Sequence, residues 1–66
     1  MWTVIYIAPS KNVAEKYRQA LAEEGILVQI RPVGSSQHNG NVSMEILVPE
    51  SEAEEAHELL TGIIGS

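Results

Sequence analysis

Three groups of residues in this 66-residue chain have the types and spacing to do chemistry. Ser35, Ser36 and His38 share one polar stretch, and a hydroxyl beside an imidazole is where nucleophilic catalysis starts. That chemistry needs a third group to orient the imidazole, most often an aspartate. The chain contains no aspartate; its nine acidic residues are all glutamates. Neighbours on one loop are also poorly preorganised, so these residues read as solvated turn residues. In the second group, Glu54, His57 and Glu58 stand three and four positions apart, which puts carboxylate and imidazole on one side of a helix. Di-iron bundles use a Glu-x-x-His pair, but in two copies with further glutamates from other helices. A single copy reads instead as a boundary histidine among acids that favour a helix N-terminus, and no metal or other cofactor is expected. The third group is Ser10-Lys11-Asn12, where a strand meets a helix N-terminus whose free N–H groups favour an anion. A small anionic metabolite could draw on Ser10, Lys11 and Asn12, with Arg31 and His38 as further contacts. Ordinary helix capping explains the same trio, and no glycine-rich cradle accompanies it.

Those groups must be held by elements, and the punctuation of the chain gives them. Trp2 to Ala8 is rich in β-branched and aromatic residues and stops at Pro9, which predicts a strand. Val13, Tyr17, Ala20 and Leu21 recur at helical spacing, with Ser10 or Asn12 as N-cap, Glu15 completing a box with Asn12, and Gly25 as C-terminal cap. Ile26 to Val33 predicts a second strand, and Pro32 near its end suggests a sheet edge. Gly34 to Asn41 is a polar loop, Val42 to Val48 a third strand halted by Pro49. Ser51 with Glu54 predicts the cap of a second helix, which turns Ala53, Ala56 and Leu60 inward and ends at Gly62. Residues 63–66 fray or add a short fourth strand.

Length and composition narrow the class. A chain of 66 residues has room for one domain, here residues 1–66, and buries only about 60% of the surface its unfolded form exposes. Without cysteine it has no disulfide, thiolate metal site or thiol nucleophile to help, which leaves a partner subunit as the ordinary aid. The formal charge of −5 repels phosphate backbones, so general nucleic-acid binding is disfavoured. No apolar run approaches the ~20 residues of a membrane helix, and the apolar start at Met1 to Ala8 has no basic flank and is too short for a signal peptide. A cytoplasmic location without membrane association is expected.

Splitting each strand by alternation gives two faces. Ile26, Val28 and Ile30, with Val42, Met44, Ile46 and Val48, form the face that receives both helices. In the first strand Ile5 and Ile7 take that side, yet Trp2, Val4 and Tyr6 on the other side are also apolar. The open face would then carry Trp2, Val4, Tyr6, Leu27 and Leu47 among Gln29, Arg31 and Glu45. An aromatic patch of that size marks an interaction surface. RNA-recognition modules stack bases on such a sheet, but Arg31 alone supplies positive charge there, and self-association explains the aromatics better. A right-handed crossover leaves room for the third strand between the first two, giving order 2-3-1, an α+β ferredoxin-like β-α-β-β-α fold with the first strand at an uncovered edge. A second copy, or the Ile63–Ile64 tail, would cover that edge.

The run MWTVIYIAPSKNVAEKYRQALAEEGILVQIRPVG, then a polar loop, then MEILVPESEAEEAHELL, resembles small prokaryotic domains described as "putative signal-transducing proteins". That family is similar in fold to the PII-like regulatory proteins, which are ferredoxin-like. The resemblance rests on element order and on phrases such as EEGILV and ILVPE, and it spans nearly the whole chain. It implies signalling and no catalysis. PII-like proteins place their working loop between the second and third strands, here Gly34–Asn41, which lacks the basic residues that hold a nucleotide's phosphates. ATP binding is therefore not implied. The expectation is a non-enzymatic regulatory or interaction module, homodimeric through the first strand and the open face, with Trp2, Val4, Tyr6, Leu27 and Leu47 at the interface and room for an unknown protein partner. The alternative is a sensor of a small anionic metabolite at the junction of the first strand and first helix.

Overall fold

Pro9 ends the first strand and Ser10 starts the first helix, and similar punctuation divides the rest of the chain. In the computed structural model, which describes residues 1–33 and 42–64, β1 (Trp2–Ala8) leads to α1 (Lys11–Glu23), then β2 (Gln29–Pro32), β3 (Met44–Pro49), a 3₁₀ turn (Glu50–Glu52) and α2 (Ala53–Ile64). The sheet order is β1-β3-β2 with both pairings antiparallel. The expected order and the ferredoxin-like arrangement are therefore present. β1 and β2 run parallel to each other on either side of β3, and α1 is the crossover between them.

Ser10, and not Asn12, caps α1. Its backbone is extended (φ −153°), and its Oγ accepts a hydrogen bond from the Val13 N–H at 3.3 Å. Such a cap contributes about 1 kcal/mol. At the other end Gly25 sits at φ +87°, its N–H donates to the Ala22 carbonyl at 2.9 Å, and the Ile26 N–H donates to the Leu21 carbonyl at 3.2 Å. This paired termination needs a left-handed residue at Gly25 and brings Ile26 back onto Leu21 in the core. It also explains why β2 is shorter than the expected Ile26–Val33: Ile26 closes the helix, and sheet pairing begins only at Gln29. A Cβ added to Gly25 meets nothing within 4 Å, so Gly25→Ala costs backbone strain alone, about 1–2 kcal/mol. A melting point lowered by roughly 4–8 °C per kcal/mol is expected in a thermal scan. Gly62→Ala, equally open but inside α2, should raise it. A Gly25→Ala melting point at or above the parent's would refute this cap.

The second helix starts differently from the expectation. Pro49 precedes a 3₁₀ turn that has no side-chain cap, Ser51 lies inside that turn, and α2 begins at Ala53. The Ser51–Glu54 box is thus not the start signal. The turn is held from outside: the Glu50 N–H donates to the Met1 carbonyl at 2.8 Å, and Glu52 Oε1 accepts from the Leu27 N–H at 3.3 Å. Nor does Gly62 end α2. The helix runs on to Ile64 because Ile63 packs against the core, so Ile63 and Ile64 are helical and add no strand.

Ala14, Leu21, Ile46, Val48, Ala56 and Leu60 form the centre of the core between sheet and helices, joined by Ala8, Ile26 and Met44. Both helices contribute to this one cluster, so they cover the same face of the sheet.

The register of β1 on β3 holds the feature that most affects the site. Val4 stands opposite Leu47, but Tyr6 stands opposite Ile46, which leaves Ile5 as the extra residue of a β-bulge. The bulge interrupts strict alternation. Ile5 and Tyr6 both belong to the helix side, where the Tyr6 ring meets the Tyr17 ring of α1 edge-on, centroids 5.6 Å apart at 72°. An aromatic pair of this geometry adds about 0.5–1.5 kcal/mol beyond its buried area. Ile7, opposite Glu45, is turned to the open face. The assignment by alternation, with Tyr6 outside and Ile7 inside, is therefore reversed beyond the bulge.

Candidate interaction surface

The open face is built from the side chains of the three strands that point away from α1 and α2. On β1 these are Trp2, Val4 and Ile7; on β3, Glu45 and Leu47; on β2, Gln29 and Arg31. Trp2 is 39% exposed, Val4 40% and Ile7 53%, and Leu27, just before β2, is 63% exposed. These are most of the large apolar side chains that the described residues leave in solvent. Leu47 differs from its expected role: it faces the same side but is only 4% exposed, flanked by its register partners Val4 and Gln29. It forms the floor of the patch while Trp2, Val4 and Ile7 form its relief.

The polar part of this face is one ion pair. Arg31 Nε donates to Glu45 Oε1 at 2.6 Å across the β2–β3 ladder. An exposed pair of this kind adds at most about 1 kcal/mol to stability. Its larger effect is to leave the face locally neutral. Of the other glutamates, Glu15, Glu23, Glu54, Glu55 and Glu58 lie on α1 and α2 and Glu24 just after α1. Glu50 and Glu52 of the 3₁₀ turn stand instead at the margin of the patch, where Glu52 accepts from the Leu27 N–H and the Glu50 N–H donates to the Met1 carbonyl.

The remaining candidate residues do not come together on this surface. Ser10 Oγ is committed to capping α1, while Lys11 and Asn12 are exposed in the first turn. Arg31 is on the sheet face opposite the helices and is held by Glu45. His38, with Ser35, Ser36 and the rest of the Gly34–Asn41 loop, lies outside the described residues. Glu54, His57 and Glu58 are exposed on α2, and among the described residues no three His or Glu side chains gather as a metal site would require.

A family model described as "putative prokaryotic signal transducing protein" matches residues 2–64. The chain belongs to this family. The match takes in every strand and helix, the whole of the open face and both sides of the bulge. The description is that of a signalling protein and not of an enzyme. No curated protein and no solved structure matches the chain. Among the described residues, no helix is long and apolar enough to cross a membrane.

Ile7 is the member of the surface that alternation missed. From Val4 to Ala8 the strand carries apolar or aromatic side chains on both sides, and Thr3 fixes the phase only ahead of the bulge, so an inserted residue there goes unnoticed.

Proposed function

We propose that the chain is a non-catalytic signalling module that works as a homodimer, two copies meeting through the open-face side chains of β1 and their neighbours. The observation that carries this reading is the row of Trp2, Val4 and Ile7 along β1, all exposed on the face that also bears the self-neutralising Arg31–Glu45 pair. A second copy fits such a face for two reasons. Its own patch is apolar and aromatic, as interface centres are. The arginine and glutamate can also exchange partners across a two-fold axis, so each copy offers what the other needs. The glutamates of α1 and α2 discourage an approach by the helical side.

Burial supports the same reading. A chain of this length is marginal alone, and covering Trp2 and Ile7 removes apolar area at roughly 25 cal/mol per Å². Sedimentation equilibrium of the unaltered chain tests it directly. A dimer forming in the micromolar range, with a melting point that rises with protein concentration, is the expected outcome. A monomer throughout that range would end the proposal.

A further inference from the structure

A second surface lies on the other side of β1. As an edge strand of the order β1-β3-β2, β1 has no neighbour on its outer side among the described residues. α1 packs on all three strands, whereas α2 packs on β1 and β3, so α2 is displaced toward that open edge. Beneath it is an apolar groove of about 250 Å³ lined by Ile5, Tyr6, His57, Leu60, Thr61 and Ile64. The bulge supplies its floor by turning both Ile5 and Tyr6 to the helix side, where both line the groove. The helix supplies its roof, from positions 57, 60, 61 and 64, which share one face. The volume is smaller than the ~300–1,000 Å³ typical of small-molecule sites and suits one or two side chains. Glu54 and Glu58, both exposed, stand one turn from His57 and Thr61 on the same helix and border the groove with negative charge.

We infer that this edge and groove receive an extended segment of a partner protein, lying along β1 beneath α2, with an apolar side chain in the groove and a lysine or arginine two residues along it. An added strand runs about 4.8 Å from β1, and its alternate side chains point to one side. An apolar residue there fills the groove, and the next residue on that side, if basic, reaches Glu54 or Glu58. A second copy of this chain is the poorer occupant, because a two-fold arrangement along this edge brings the Glu54 and Glu58 pairs of both copies together.

The test uses the whole chain and three labelled peptides followed by fluorescence anisotropy. The first repeats Thr-Val-Thr-Lys; the second replaces each lysine with glutamate; the third replaces each valine with serine. The first peptide is expected to bind at least about tenfold more tightly than either of the others, and to weaken as salt is raised. Ile64, 45% exposed, is replaceable without opening the core. Ile64→Asp should keep the parent's circular dichroism and sedimentation while losing at least about tenfold in affinity for the first peptide. Equal binding of all three peptides, no binding of the first, or full binding by Ile64→Asp would each overturn the inference. Loss of self-association in Ile64→Asp would overturn it as well, by giving this edge to a second copy. Because the open face is untouched by this variant, failure here and failure of the proposed dimer are read separately.

Discussion

The double variant Trp2→Ala/Ile7→Asp is expected to stay monomeric at the micromolar concentrations where the proposed dimer of the parent should form. Trp2 and Ile7 lie on the same face of β1, on opposite sides of the bulge, so a partner covering Val4 between them touches both. A tryptophan at the centre of an interface commonly contributes 2 kcal/mol or more when truncated, roughly thirtyfold in affinity. An aspartate at position 7 adds a charge that the dimer would have to bury without a partner. Together the two changes should weaken association by at least about a hundredfold, read by sedimentation equilibrium. The chain has a single tryptophan, which gives a second readout: in the parent, Trp2 emission should shift to shorter wavelength as concentration rises. Tyr6→Phe is the discriminating companion. The Tyr6 ring is engaged with Tyr17 on the helix side, so this change should leave self-association as it was. A double variant that still dimerises, or a Tyr6→Phe that does not, would show that the interface is elsewhere.

Leu21→Ala is expected to cost most of the fold. Leu21 is fully buried, and its side chain packs in the cluster shared by both helices. Leucine-to-alanine changes at such sites cost about 2–5 kcal/mol. A domain of this length has about 3–10 kcal/mol in all. The variant should therefore be largely unfolded, or should lose a large part of its urea midpoint with an unchanged slope. In protein dilute enough to be monomeric, Leu27→Ala removes the same atoms from a side chain mostly in solvent and should change stability by less than about 0.5 kcal/mol. Similar losses from the two would mean that Leu21 is not at the centre of the core.

How much of this was legible in the sequence depended on whether a residue type forces a local conformation. Pro9, Gly25 and Pro49 do, and with the 3.6-residue recurrence of Val13, Tyr17 and Leu21 they place both helices and three strands in the right order. The strand order follows from the crossover rule. Where two signals competed, the nearer contact prevailed. Ile26 reads equally well as strand or as the hydrophobic closure of a helix cap, and its bond to Leu21 decides for the cap. Gly62 reads as a stop, but Ile63 continues the apolar stripe of α2 and the helix follows it. The candidate surface was found in outline, through Trp2, Val4 and Leu27, and misread at Tyr6 and Ile7. Alternation carries no record of a single inserted residue when every neighbour is apolar.

That insertion divides β1 into two stretches under different demands. Ahead of Ile5, two of the three side chains, Trp2 and Val4, look outward; behind it, two of the three, Tyr6 and Ala8, look inward. Substitution at positions 2 and 4 therefore changes the exposed face and leaves the core cluster as it is. Substitution at positions 6 and 8 meets the packing of the helix side instead. One strand thus answers to surface and core in turn, and Ile5 is the border between them.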